Sequence, residues 1–199
     1  MPVVVAVRVD GHVAVLSRAA LRASRDAIGS RSHLVDAATG RVREEAVEAV
    51  LSLVRPDGET VGRALAAAAS RCHALGVTTA HVMSGWLDPR VLEKRARGLR
   101  LRLVAHVPAE RTGELAERGV ATGAGDDWFR WGGVKLFADG SVGARNAAFR
   151  WPYRWGGRGR LNQRRGALRD ALAAADEANL QTLTHAIGDR AIAHVLRAH

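Results

Sequence analysis

The chain has 199 residues, 47% of them hydrophobic, a formal net charge of +10 and a pI near 11.4. That length and apolar share suit one ordinary folded domain and exclude a disordered segment. A single cysteine, Cys72, excludes an internal disulfide framework and a multi-cysteine zinc site, and no apolar run approaches the roughly 20 residues a membrane helix needs.

The opening, "PVVVAVRVDGHVAVLSRAAL", reads as a strand, a turn and a helix with no obvious partner. It lacks the basic leader and long apolar run of a signal peptide, so a reducing, cytoplasmic compartment is the expectation. From about residue 42 onward, helical and strand signals alternate. "REEAVEAVLSLV" places Val47, Val50, Leu51 and Val54 on one helical face. After the turn "RPDGE", the segment "TVGRALAAAASRCHAL" repeats apolar residues at steps of three and four: Val61, Leu65, Ala68, Cys72 and Leu75. Gly76 ends that helix. "VTTAHVM" is a β-rich run. "DPRVLEKRARG" is a short helix with proline near its start and glycine at its end. "LRLRLVAHV" is a second strand, "ERTGELAERG" a helix, and "GGVKLFAD" a third strand. "ALRDALAAADEAN" is an amphipathic helix, "LQTLTHAIG" a fourth strand, and "DRAIAHVLRAH" a final helix.

Strand and helix in this order give right-handed βαβ units and a parallel sheet. Four units fit a small doubly wound domain or half of a (β/α)8 barrel, whose full form takes about 250 residues. No internal repeat or flexible linker divides the chain.

The basic charge comes almost entirely from arginine; Lys94 and Lys135 are the two lysines among 30 basic residues. The arginines are scattered and interleaved with acids, as solvated helix faces would be. The exception is "RWPYRWGGRGRLNQRR", residues 150–165, which carries six arginines, Trp151, Tyr153, Trp155 and no acid. Arginine with aromatics and glycine suits single-stranded RNA. A loop made basic by the general arginine bias explains the stretch equally, so nucleic acid is the lesser alternative.

In "GGVKLFADG" side chains alternate across the strand. Val134 and Leu136 face covering helices, whereas Lys135, Phe137 and Asp139 face the other way. In a barrel that second face is the interior, near the strand's C-terminal end, where active sites sit. A buried lysine sheds its proton or finds an anion. Three functions stay open for it: a Schiff-base amine, a general base, or a lysine carboxylated by CO2. A salt bridge to Asp139 or to a neighbouring strand is the structural alternative. In "LTHAIGDRAI", His185 ends the neighbouring strand, so its side chain and that of Lys135 can meet. Asp189 caps the next helix. Asp139, Ser141 and Arg145 form the loop after the Lys135 strand and could contact substrate. His81 and His106 read as packing, and Tyr153 shapes a lid.

"GVTTAHVMSG", "GGVKLFADGSVGARNAAF", the following "PY" and "LTHAIGDRAIAHVL" resemble consecutive landmarks of the metal-dependent amidohydrolase superfamily. The match is to the amidohydrolase family 3 branch, which includes N-substituted formamide deformylase-like enzymes. "DGHVAVLSRAAL" resembles the segment after that branch's first barrel strand, with Ser17 where asparagine is common. His12 in it resembles a recurrent pocket histidine.

The resemblance implies an α/β fold: a partial TIM-type (β/α)8 barrel of about four βα units, the second to fifth strands, within a single unit spanning 1–199. Residues 1–40 would follow the first barrel strand and residues 41–199 would form the βα units. It also implies hydrolysis of small-molecule amide C–N bonds with a divalent metal, zinc by family habit. Lys135 matches the fourth-strand ligand, often carboxylated, and His185 the fifth-strand ligand. The His-x-His pair of the first strand is absent. The sixth-strand histidine and the water-activating aspartate would lie beyond His199. The expectation is therefore a middle portion of a longer enzyme, inactive when isolated, with exposed barrel edges open to self-association.

Overall fold

A computed structural model of the chain describes every residue except Met1, Asp10, Arg55, Ser84 and Trp86. Asp10 and Ser84 belong to two of the motifs quoted above and so lie outside the described residues. The first part of the chain contains β1 (Val5–Val7), β2 (Val13–Leu16), α1 (Arg18–Ala23), α2 (Arg25–Ile28), β3 (Val35–Asp36), β4 (Arg41–Arg43) and α3 (Glu45–Leu51). The second part contains α4 (Gly58–Ala74), β5 (Thr79–Met83), α5 (Pro89–Leu99), β6 (Arg102–Pro108), α6 (Thr112–Glu117), β7 (Phe129–Phe137), α7 (Arg165–Glu177), β8 (Thr182–His185) and α8 (Asp189–Leu196).

The opening segment has a partner after all. β1, β2, β4 and β3 pair in that order into an antiparallel sheet. Its apolar face packs on α1 to α3 around Leu16, Ile28, Leu34, Val42 and Val47, separately from the main core. Ser17 locks the start of α1: its hydroxyl accepts from Ala20 N at 3.2 Å and donates to Pro2 O at 3.0 Å.

β5 to β8 form a four-stranded parallel sheet in chain order, curled into half of a (β/α)8 barrel. The period-two pattern decides which side is covered. Leu103, Ala105, Val107, Val134 and Leu136 point outward, fully buried under α5 and α7 with Leu92 and Leu168. The alternate residues point to the concave side: His81 and Met83 from β5, His106 from β6, Lys135 and Phe137 from β7, His185 from β8. Phe137 and Met83 are 45% and 47% exposed there.

Two helical faces differ from the sequence reading. On α4, Val61, Leu65, Ala69 and Cys72 pack inward, while Ala68 and Leu75 are exposed. A regular turn of 3.6 residues carries the stripe to position 69 rather than 68. On α3, Val47 and Val50 are buried but Leu51 and Val54 are not, because the helix stops at Leu51.

A bulge between Ala105 and His106 lets β7 slide by one residue against β6. Gly133, at φ 122°, sits beside it, and a Cβ there would lie 2.0 Å from Gln181 O. Only glycine tolerates that backbone and that approach. Gly133→Ala should lower the unfolding free energy by about 3 kcal/mol, read as a reduced urea midpoint, because it forces β8 away from β7.

Candidate metal centre

Parallel pairing fixes the register of the candidate residues. Lys135 lies opposite Leu183, and Phe137 lies opposite His185. Both candidates rest against the Phe137 ring. The Lys135 amine is 4.6 Å from its centroid, and the His185 ring centroid is 5.4 Å away. The His185 side chain is 20% exposed, with Nε2 3.3 Å from Gly140 O and 3.7 Å from Asp139 Oδ1.

Lys135 is half-buried and makes no ion pair among the described residues. Burial alone pushes its pKa below the usual lysine value. The salt bridge to Asp139, one alternative reading of the sequence, does not form. Lys135 lines a cavity of about 440 Å3 with His106, Pro108, Glu110 and Phe137. Labelling with an amine-selective acylating reagent should modify Lys135 at a pH below that usual for lysine, read by peptide mass spectrometry. The sign follows from burial, which favours the neutral, nucleophilic amine.

The loop residues fall into different places. Asp139 is fully buried at the end of β7. Its Oδ2 accepts from Ala148 N at 2.7 Å and Gly188 N at 2.8 Å, and its Oδ1 accepts from Ile187 N at 3.0 Å. It thus ties the loops after β7 and β8 together beside His185. Ser141 is buried, its hydroxyl accepting from Ala144 N at 3.1 Å. Arg145 stacks its guanidinium 5.1 Å from the Trp155 centroid and lines a different cavity, beside Arg41 and Arg43. Tyr153 donates to Ala147 O at 2.9 Å and holds the same loop. His12 comes close to the strand ends. Its Nδ1 is 2.8 Å from Glu44 Oε2, and it lines a cavity of about 550 Å3 with Glu44, Phe137 and Asp139. Met83, Phe137, Glu45, Glu48 and Asn162 serve both cavities, so His12 and Lys135 stand at either end of one depression.

His106, read as packing from the sequence, belongs to this wall. It is 2% exposed, its Nε2 lies 2.9 Å from His81 Nδ1, and the two rings stack with centroids 5.2 Å apart. Its Nδ1 is buried with no hydrogen-bond partner among the described residues. The signal available in the sequence was Gly132: a Cβ there would lie 2.3 Å from His106 Cε1. Gly132 makes room for that ring, whereas Gly133 makes room for Gln181.

The arrangement matches known proteins over its whole length. The model of the amidohydrolase family covers residues 1–199. The chain belongs to the amidohydrolase family. An uncharacterized metal-dependent hydrolase from Pyrococcus horikoshii OT3 has the same fold at a TM-score of 0.78 and 28% identity, covering 98% of this chain and 41% of its own. A second, from Pyrococcus furiosus, gives a TM-score of 0.74 and 28% identity, covering 98% and 43%. This chain therefore spans about two fifths of the length of those hydrolases. No curated protein matches it.

The donor set suits a divalent metal in part. An unpaired amine of lowered basicity can be carboxylated, and an imidazole ends the adjacent strand. Among the described residues, no three His, Cys, Asp or Glu side chains converge as a ready-made metal cage. Lys135 offers one lone pair as a neutral amine, and would offer two oxygens if carboxylated.

Proposed function

We propose that this chain is the half-barrel of a metal-dependent hydrolase that cleaves amide C–N bonds in small molecules. The observation that carries the reading is the Lys135 amine, half-buried without a counter-ion among the described residues, on the concave wall of an amidohydrolase-family barrel. The metal-dependent Pyrococcus hydrolases of the same fold support it. The likeness to formamide deformylase-like enzymes points to an amide.

In this reading Lys135, as a carbamate, and His185 hold the metal, with zinc the favoured ion. When bound, such an ion lowers the cost of generating a nucleophilic water and polarises the scissile carbonyl. Asp139 and Ser141 keep the two loops over the site in register, and His12 borders the space left for substrate. Arg145, across from Arg41 and Arg43, would act only on a substrate reaching that second cavity. Two ligands do not close a tetrahedral or five-coordinate site, so the 199 residues alone should hydrolyse little or no amide. The open edges of β5 and β8 and the exposed Met83 and Phe137 favour self-association.

Zinc titration by calorimetry, in bicarbonate buffer, tests the reading. Saturable binding is expected, weakened on the order of tenfold in His185→Asn, the loss typical of a disturbed ligand set. Equal affinity in the variant would remove His185 from the site.

A further inference from the structure

We propose that His106 is a positioning residue for a carbamate on Lys135, donating its Nδ1–H to a carbamate oxygen. The inference rests on the reading of Lys135 as a carboxylated ligand. His106 is 2% exposed, and one of its nitrogens is taken by His81 at 2.9 Å. The other has no partner among the described residues. Buried polar atoms are satisfied in the great majority of cases, so an orphaned one points to a group still to arrive. A histidine kept only for packing would not need that nitrogen.

The register says which group it is. His106 lies opposite Gly133, and Pro108 lies opposite Lys135, so the lysine stands one pleat further along the adjacent strand. Both side chains line the same cavity. A neutral imidazole carries one proton, and its two nitrogens then differ. With the proton on Nε2, the bond to His81 forms but Nδ1 is a bare acceptor. With the proton on Nδ1, Nε2 accepts from His81 Nδ1–H and Nδ1 becomes a donor.

Carboxylation selects the second state. The neutral Nζ lone pair attacks the carbon of CO2, and an N–C bond forms. One C=O electron pair moves onto oxygen, and one proton leaves Nζ for solvent. The product is an anion whose two oxygens accept hydrogen bonds, with one N–H left on Nζ. It matches a buried N–H donor and leaves an oxygen for a metal. In that state His81 donates its Nδ1–H to Nε2 from behind, which gives the stacked pair a purpose beyond filling space.

The test uses the full 199-residue chain with equimolar zinc and 13C-labelled bicarbonate. Wild type should show a lysine carbamate resonance that Lys135→Arg lacks. His106→Leu should reduce it at least tenfold, while His106→Asn, whose amide N–H replaces the Nδ1 donor, should keep most of it. In 15N-histidine-labelled wild type, His106 Nδ1 should carry the proton when the carbamate is present. Full carbamate in His106→Leu, or a bare Nδ1 in wild type, would overturn the role of His106 and leave the carboxylated lysine standing. Absence of the carbamate from wild type would overturn both. The 15N readout holds even where the leucine variant does not fold.

Discussion

Asp139→Ala should cost about 4 kcal/mol of stability, the largest loss expected from one loop residue. The carboxylate is fully buried and accepts three backbone N–H groups, from Ala148, Ile187 and Gly188. Removing it strands two buried donors, Ala148 N and Gly188 N, and a part-buried third, Ile187 N, and each stranded donor is costly. Asp139→Asn keeps the shape but turns one oxygen into a donor facing an N–H, so it should lose about half as much. Denaturant unfolding followed by circular dichroism gives both values. The loops after β7 and β8 lose their common anchor, so amide exchange at Ala148 and Gly188 should quicken first. A variant within 1 kcal/mol of wild type would show that the clamp is replaceable.

Lys135→Arg should weaken zinc binding on the order of 100-fold, about 2.8 kcal/mol, in bicarbonate buffer. Charge, length and strand position are nearly kept. What is lost is the ability to shed a proton and become a carbamate, since guanidinium stays protonated. If Lys135 is carboxylated as proposed, that distinction would also account for a lysine at this position in a chain otherwise almost wholly committed to arginine. Parallel calorimetric titrations of wild type and variant measure it, and Lys94→Arg serves as the neutral control.

The half-barrel was legible because each unit announces itself locally. Pro89 opens α5, Gly76 follows α4, and two apolar faces of different period flank them. Strand alternation likewise sent Lys135 and Phe137 to the side opposite Val134 and Leu136. The antiparallel sheet was not legible. Its strands are two to four residues long, and β2 pairs with β4 across a stretch that holds α1, α2, a 3-10 helix and β3. Such pairing is a nonlocal event, and short strands carry too few alternations to declare it. Asp139 shows a similar limit. Continuing the alternation places it beside Lys135 on the concave wall, but β7 ends at Phe137 and the carboxylate turns under the loop instead. His106 shows the opposite error. A histidine in an apolar strand reads as packing, and only the cross-strand space left by Gly132 gives the ring its setting.

A zinc-edge anomalous difference map from crystals grown with zinc and bicarbonate bears most directly on the central claim. The account predicts a peak on the concave face, touched by a carboxylated Lys135 and by His185 Nε2. A map that places zinc elsewhere, or leaves the Lys135 amine bare and uncoordinated, would contradict it.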